Sequence, residues 1–436
     1  MNIYKKIKDS HGTRMYLFGV KIYELRKESR ENCTFLFGIK VLRKRSKGGV
    51  NVKVREQAEQ KIRELAEKYK NNPPEQKHIL CFDCLYNPQA EAIDAWTLFQ
   101  YMQEKGIPSR YVILSTHPLY AKLKAQNKLD SILPVDNEFD LLVRYPEEIA
   151  RSSHILFSFP FSCSRVFLEI PNIPFVFIEH GVTLLKPWCV RLYSTGGNSE
   201  CNYILTPSRL TKELYDKMGI MQGRMLQCGM PRWDALAPFN PNKEKKNIFL
   251  FFTWRTTFMH DRTHLNTYTE RIGTLLLHLQ KLIEPHPQIE LHIGLHPALI
   301  LHNPQLKNSE HFAHAKIVSP HEISSMIRDA DLFITDYSSV CFDLMYRNVP
   351  TIFYRFDTDL TYSRPEDNED AASAASFDAQ LYNSCYELTQ ALALVEKYIN
   401  NHFMIEDEIR QKNDYIFWQR GENCHKLLEL IEHLEN

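Results

Sequence analysis

Residues 331–356 read DLFITDYSSVCFDLMYRNVPTIFYRF, and this stretch decides the fold class. The apolar run at 331–336 predicts a buried strand, a helix is predicted to begin near Ser338, and residues 350–356 form the next strand. A strand, a helix and a second strand in this order indicate a βαβ unit with parallel strands. Helices cover both faces of such a sheet, so the predicted class is α/β.

The same rhythm extends over most of the chain, on both sides of a loop rich in Pro, Asn and Lys at 238–246. Two series of strands are predicted, at 78–85, 110–115, 154–159, 174–181, 203–208 and 224–228 before the loop, and at 247–254, 289–296 and 315–319 after it. Two such series predict two Rossmann-like, doubly wound domains that face each other across a cleft. The predicted ranges are 76–240 and 241–436, after a basic N-terminal extension at 1–75.

Charge is unevenly distributed, although Lys+Arg and Asp+Glu are equal at 53 each. Residues 1–60 hold 15 Lys and Arg against 6 Asp and Glu. A basic and partly apolar segment suits the anionic inner surface of a membrane, whereas a solvated tail or a small packed subdomain is the alternative. No signal peptide and no apolar run of membrane-spanning length is evident. We therefore expect a cytoplasmic protein, peripheral on the inner face of the cell membrane.

Several common cofactor and metal patterns are missing. The sequence has no G-x-G-x-x-G motif and no Walker P-loop. Cys81 and Cys84 form a C-x-x-C without a second pair, so core packing is favoured over metal binding. Asp329 and Asp331 form a D-x-D at the entry of a strand, where a helix end and turn is the favoured interpretation. We expect no metal, no cofactor and no nucleic-acid partner.

Residues with phosphate-handling side chains follow the predicted strands. Ligands of doubly wound sheets bind beyond the carboxyl ends of strands, so these positions are the candidates for a site. They are His180, Gly181, Lys186, Arg232, Arg255, His296, Asp336, Ser338 and Ser339.

The chemistry of these residues favours a phosphate site. Ser338 and Ser339 come at a predicted helix start, where backbone N–H groups and the helix dipole favour an anion. The reference pKa of histidine, about 6.5, suits His180 as a proton acceptor. Arg255 can bind phosphate in bidentate fashion. Helix capping, a structural histidine and an unpaired surface arginine are the alternatives for these residues.

The segment ITDYSSVCFDLMYRNVPTIFY at 334–354 resembles the signature of the CDP-glycerol glycerophosphotransferases, the family of teichoic-acid and capsule polymerases. Four other segments resemble family motifs in the same order: EHGVTLLK (179–186), GMPRWDAL (229–236), FFTWR (251–255) and LHP (295–297). The HG pair is followed by VTLLK instead of TPLK, so single-unit addition and chain elongation are both open.

The resemblance implies a GT-B-like fold with an acceptor domain followed by a donor domain. It implies a CDP-glycerol or other CDP-polyol donor, a lipid-linked or polymer acceptor, and release of CMP. His180 and His296 would be catalytic, His180 as the base. Asp336, Ser338 and Ser339 would bind the donor, with Arg232 and Arg255 in or near that site. A GT-B glycosyltransferase using a nucleotide sugar and a non-catalytic membrane-surface scaffold are the rival functions.

Overall fold

The computed structural model describes the backbone of five strands between residues 4 and 45 and of a helix from residue 52. It describes backbone and side chains over 54–88, 90–185, 199–253, 263–296, 303–357 (except the side chain at 321) and 381–434, and at 193, 196, 197, 299 and 300.

An antiparallel sheet precedes the α/β part of the chain. Its strands pair in sequence order and are β1 (Tyr4–Asp9), β2 (Gly12–Leu17), β3 (Val20–Glu28), β4 (Glu31–Leu36) and β5 (Ile39–Arg45). Only two residues separate each strand from the next, which is the spacing of tight hairpins. The sequence interpretation did not predict these strands. The predicted contact of this basic region with a membrane stays a prediction.

A seven-stranded parallel sheet forms the centre of the first α/β unit, in the order β12-β11-β10-β9-β6-β7-β8. Its strands are β6 (His78–Phe82), β7 (Ser109–Leu114), β8 (Ile132–Val135), β9 (Ser152–Phe157), β10 (Phe175–Phe177), β11 (Tyr203–Thr206) and β12 (Met225–Gln227). Most of their residues are buried, as expected for strands covered on both faces. The sequence missed β8.

Helices cover both faces of this sheet. They are α1 (Val52–Asn71), α2 (Asp94–Glu104), α3 (Pro118–Ala125), α4 (Glu138–Arg144), α5 (Pro146–Ala150), α6 (Ser164–Leu168) and α7 (Arg209–Lys217). Helix α1, predicted at 54–71, packs on α4 and α5 and buries Ala58, Ile62 and Ala66 in the core. It therefore belongs to the first α/β unit although it lies within the predicted extension.

A six-stranded parallel sheet forms the second unit, in the order β15-β14-β13-β16-β17-β18. Its strands are β13 (Lys246–Phe252), β14 (Ile289–Leu295), β15 (Lys316–Val318), β16 (Leu332–Thr335), β17 (Thr351–Tyr354) and β18 (Ser384–Cys385). The helices are α8 (Arg262–Ile283), α9 (Ile323–Asp329), α10 (Val340–Tyr346), α11 (Leu388–Asn400), α12 (Asp407–Ile416) and α13 (Asn423–Glu432). The predicted α/β class is confirmed.

Helix α13 returns to the first unit. Cys424, Leu427, Leu428 and Ile431 lie in one core cluster with residues of β6 and α2. The indole Nε1 of Trp418, just before this helix, donates to the carbonyl of Thr206 at 2.7 Å. The boundary predicted near residue 241 stays a prediction, but the last helix packs with the first sheet. Over the described residues, no helix combines the length and apolar character needed to span a bilayer.

Candidate functional site

Two strand-end loops, one from each parallel sheet, meet between the units. Gly181 follows β10 in the first sheet, and Ser339 follows β16 in the second. A Cβ atom built on Gly181 would lie 2.8 Å from Ser339 Oγ and 3.3 Å from Ser339 Cβ. The missing side chain of glycine therefore permits this close approach. The predicted facing of the two units is confirmed at this point.

His180 lies beside this contact, at the carboxyl edge of the first sheet. Its half-buried imidazole stacks on Phe159, with the ring centroids 4.9 Å apart and the planes inclined by 27°. Phe159 follows β9, the neighbour of β10, so both rings come from adjacent strand ends. The ring of Phe177 lies 6.1 Å from the imidazole on another side. Two aromatic rings thus restrict where the imidazole can lie.

Glu179 is a functional candidate that the sequence interpretation quoted but did not weigh. Its φ of 64° is in the left-handed region, which costs a non-glycine residue on the order of 1–3 kcal/mol. The carboxyl group is fully buried, and Oε1 accepts a hydrogen bond from the Tyr215 hydroxyl at 2.9 Å. Tyr215 also bonds the Thr183 hydroxyl. Burial raises the pKa of Glu179 to about 8, against the lowering effect of the Tyr215 hydrogen bond.

Arg232 lies in a 3-10 turn at Pro231–Ala235, between the two units. Its Nε and Nη2 donate to the two carboxylate oxygens of Asp343 at 2.9 and 3.0 Å. Its Nη1 donates to Asp94 at 2.6 Å and to the carbonyl of His180 at 3.2 Å. The guanidinium therefore joins α2, the His180 loop and α10.

These contacts occupy most of the Arg232 side chain. An arginine has five N–H donors, four of which are used here, and the side chain is only 11 % exposed. Little of the guanidinium is available to a donor phosphate. Burial raises the pKa of its partner Asp94 to about 7, although Arg232 acts in the opposite direction. Arg232 thus links the two units and the His180 loop, and its role at the donor stays a prediction.

The rest of the GMPRWD segment is also engaged in structure. Trp233 Nε1 donates to Asp343 at 2.6 Å, so the family-like segment at 334–354 is bound by two side chains of this turn. Asp234 accepts from the backbone N–H of Asn423 at 2.8 Å and of the next residue at 2.7 Å. A Cβ on Gly229 would lie 2.1 Å from Asn423 Oδ1, so glycine is required. Asp343 was not among the predicted site residues.

The strand ends of the second sheet bring Asp336 and His296 to one edge. Asp336 is buried, and its Oδ1 accepts from the backbone N–H of Thr253 at 2.9 Å and of Tyr337 at 2.6 Å. This carboxylate ties the loop after β16 to the loop after β13. His296 follows β14, which is next to β13, and its half-buried ring lies 6.1 Å from that of Phe251. Parallel strands lie about 4.8 Å apart, so His296 and Asp336 are about 10 Å apart along this edge.

Ser338 and Ser339 differ in how they are used. Ser338 Oγ accepts from the backbone N–H of Val340 at 3.3 Å, so this serine binds the start of α10. Ser339 occupies the N-cap position, yet within the described residues its side chain makes no cap hydrogen bond. Helix α10 has 7 residues, so its dipole is small. The hydroxyl of Ser339 lies instead at the contact with Gly181.

Two predicted site residues, Arg255 and Lys186, lie outside the described residues. Their roles stay predictions.

The C-x-x-C, which the sequence assigns to core packing, and the D-x-D, which it assigns to a helix end and turn, both make structural contacts. Cys81 and Cys84 are buried free thiols, as core packing requires. Asp331, in the D-x-D, is fully buried at the start of β16, and its Oδ2 accepts from the backbone N–H of Asn247 at 2.9 Å. Over the described residues, no group of three or more His, Cys, Asp or Glu could hold a metal ion.

Two parallel α/β units that meet through strand-end loops define a GT-B-like protein. The fold is similar to that of the wall teichoic acid polymerase TagF, with a TM-score of 0.57, 15% identity, and coverage of 88% of this chain and 95% of TagF. It is also similar to a UDP-GlcNAc 2-epimerase from Neisseria meningitidis, with a TM-score of 0.50, 12% identity, and coverage of 82% and 100%.

The family follows from the sequence. The model of the CDP-glycerol:poly(glycerophosphate) glycerophosphotransferase family matches residues 76–433, and the chain belongs to this family. It is 22% identical over 378 residues to the minor teichoic acid biosynthesis protein GgaB of Bacillus subtilis (strain 168), covering 78% of this chain and 38% of GgaB. It is 28% identical over 163 residues to the teichoic acid glycerol-phosphate primase of the same strain, covering 37% and 42%. The chain thus spans about two fifths of these relatives.

Proposed function

We propose that this protein transfers glycerol phosphate from CDP-glycerol to a poly(glycerol phosphate) or lipid-linked acceptor and releases CMP. The observation that carries the proposal is the contact between the His180–Gly181 loop and the Ser339 turn. It brings a candidate base from one unit against a hydroxyl in the family-like segment of the other. Family membership supports the donor, and a TagF structure was obtained with CDPG.

The proposed reaction is an in-line displacement at phosphorus. The acceptor hydroxyl oxygen attacks the phosphorus that carries glycerol, and the bond from this phosphorus to the bridging oxygen breaks. The bridging oxygen leaves with CMP, and the acceptor proton passes to the His180 imidazole. Such reactions depend on positioning and on stabilising charge at oxygen. Ser339, His296 and Arg255 are proposed to supply that stabilisation.

We propose that the predicted residues have two different tasks. His180, His296 and Ser339 are proposed to contact substrate. Asp336 and Ser338 already bind backbone N–H groups, and we propose that they hold the donor loop in shape. Arg232 is proposed to act through Asp343 and the His180 carbonyl. Residues that do not contact the donor are therefore also proposed to shape its site.

A donor screen tests the proposal. The full chain is incubated with CDP-glycerol, CDP-ribitol or UDP-N-acetylglucosamine, and its melting temperature is measured. A ligand that binds the folded state raises stability with the logarithm of its excess over Kd. We expect CDP-glycerol to give the largest shift, and to release CMP when poly(glycerol phosphate) is added.

The rival functions give different results in this screen. A larger shift with UDP-N-acetylglucosamine would favour the nucleotide-sugar glycosyltransferase. A larger shift with CDP-ribitol would keep the mechanism and change the polyol. Binding of CDP-glycerol without CMP release would favour the scaffold.

We further propose that the basic five-stranded region binds an anionic membrane surface. Residues 1–60 carry a 15 to 6 excess of Lys and Arg over Asp and Glu. Each well-placed cation contributes about 1 kcal/mol at such a surface. The full chain should sediment with vesicles containing phosphatidylglycerol and less with vesicles of phosphatidylcholine alone. Equal sedimentation with both, at low salt, contradicts the proposal.

A further inference from the structure

A buried acid, Glu179, belongs to the loop that carries His180. Glu179 precedes His180 and adopts a left-handed conformation that only surrounding contacts can maintain in a glutamate. Its carboxyl group is fully buried beneath the loop, and Tyr215 of α7 donates to Oε1 at 2.9 Å. Tyr215 is itself fully buried and bonds Thr183, two residues after Gly181. The hydroxyl of Tyr215 therefore connects both sides of the loop.

The second carboxyl oxygen of Glu179 indicates the protonation state of this acid. Glu179 Oε2 is buried and has no hydrogen-bond partner among the described residues. A buried carboxylate oxygen without a donor is strongly disfavoured, whereas a protonated acid leaves only a neutral group there. The protonated acid still accepts the Tyr215 hydrogen bond at Oε1, and the Tyr215 hydroxyl can accept from Thr183. The geometry thus fits a neutral Glu179.

We propose that Glu179 and Tyr215 are positioning residues for His180, and that they act with Glu179 protonated. This inference rests on the proposed role of His180 as base. Deprotonation of Glu179 would place a negative charge beside the imidazole, which favours the imidazolium form and removes the base. It would also leave a buried charge without a partner, which favours movement of the loop.

The surroundings of Glu179 agree with a neutral acid. The titratable and charged side chains that act on it are Tyr215 on α7, Asp94 on α2, Arg232 in the 3-10 turn and Cys201 before β11. The backbone N–H of His180 also acts on the carboxyl group and lowers its pKa. Arg232 is directed to Asp94, to Asp343 and to the carbonyl of His180. Burial dominates and raises the pKa of Glu179 to about 8.

The structure contains a matched control for this pair. Tyr111 on β7 is also fully buried, and its hydroxyl donates to the buried carboxyl of Asp83 at 2.7 Å. Asp83 accepts hydrogen bonds from the start of α2 and from the Ser158 hydroxyl, and among the described residues it makes none to residues 179–183. Tyr111→Phe and Tyr215→Phe therefore remove the same kind of hydrogen bond at two places. Only the second change should act on His180.

The experiment measures kcat and KM for CMP release from CDP-glycerol, with poly(glycerol phosphate) as acceptor, from pH 6 to 9. We expect Tyr215→Phe to lower kcat about tenfold with KM for CDP-glycerol unchanged, since misplacement of a catalytic group costs up to about 100-fold. Tyr111→Phe should leave kcat within about twofold. Wild-type kcat should fall above pH 8, and Glu179→Gln, which cannot ionise, should keep kcat at pH 7 and lose that fall.

Three results would overturn the inference. One is an equal effect of Tyr215→Phe and Tyr111→Phe on kcat. Another is an unchanged decline above pH 8 in Glu179→Gln. The third is activity of His180→Ala near the wild-type level. This result would show that His180 is not the base, and it would contradict the proposed function as well. An inactive His180→Ala with a wild-type-like Tyr215→Phe contradicts only the positioning role.

Discussion

The EHG loop at 179–181 and the GMPRWD turn at 229–234 occupy equivalent places in the first sheet, yet they are used in opposite ways. Both follow parallel strands at the carboxyl edge. The EHG loop carries a half-buried imidazole and meets the second unit at Ser339. The GMPRWD turn is closed, because Arg232 and Asp234 are each held by two or more protein groups.

A position directly after a strand is therefore not enough to predict that a side chain contacts a ligand. The number of protein partners decides how much of a side chain is left for a ligand. The imidazole of His180 stacks on Phe159 and lies near the ring of Phe177. Arg232 has already used four of its donors. The comparison can be tested at both loops.

The largest expected effect is on turnover in His180→Ala. Removing a general base costs about 100- to 10,000-fold, so we expect CMP release to fall about 1,000-fold. Binding of CDP-glycerol, measured by calorimetry, should stay within about threefold because the stacked ring is proposed to act on the acceptor. Substantial residual turnover would show that the EHG loop does not carry the base.

The next effect is on stability in Arg232→Ala. Breaking a buried ion pair costs about 3–5 kcal/mol, which urea denaturation would measure. Arg144→Ala is the control, since Arg144 also binds two carboxylates, Asp136 and Asp140, but is 45% exposed. Exposed pairs contribute about 0–1 kcal/mol. Wild-type stability together with lost CDP-glycerol binding in Arg232→Ala would restore the donor role predicted from the sequence.

Gly229→Ala tests the closure of the GMPRWD turn by α13. The new Cβ would lie 2.1 Å from Asn423 Oδ1, and overpacking of this kind costs about 1–3 kcal/mol in unfolding free energy. Adding Asn423→Ala should give a double variant that loses less than the sum of the single changes. If the losses of unfolding free energy are strictly additive, the added Cβ and the Asn423 side chain do not clash.

The free energy of unfolding should also depend on pH, through Glu179 in the EHG loop and through Asp94, which binds Arg232. Burial raises the pKa of Glu179 to about 8 and of Asp94 to about 7, so the folded state holds protons that the unfolded chain releases near pH 4. The free energy of unfolding should therefore fall as pH rises from 5 to 8. Glu179→Gln should reduce this slope by up to about 1.4 kcal/mol per pH unit in urea titrations. An unchanged slope would mean that Glu179 is ionised in the folded protein.

The smallest effect is expected in Gly181→Ala. The new Cβ would lie 2.8 Å from Ser339 Oγ, but this hydroxyl can rotate, so we expect about a threefold loss in kcat/KM and unchanged stability. Gly181→Ala combined with Ser339→Ala should lose no more than Ser339→Ala alone. A further loss in the double variant would show that the glycine serves another purpose.

Much of the α/β part was predictable because strands buried on both faces read as continuous apolar runs. The sequence placed a helix start near Ser338, and α10 begins at Val340. The sequence interpretation missed the N-terminal strands because apolar and charged residues mix in them. Their short spacing, two residues between each strand and the next, is the feature that is typical of hairpins.

The candidate site was predictable only as a set of strand-end residues. His180 and Ser339 lie at the contact between the units, as a cleft site requires. The sequence did not indicate the partners of Arg232 and passed over Asp343 and Glu179, because these contacts join residues more than 30 positions apart. A single sequence does not display such pairings.

The return of α13 to the first sheet has a consequence for biosynthesis. The core around β6 lacks Leu427, Leu428 and Ile431 until those residues have left the ribosome. The nascent chain must therefore hold an incomplete N-terminal core while more than 300 further residues are translated. We expect the first unit to reach its final packing only after residue 431 has been translated, together with the second.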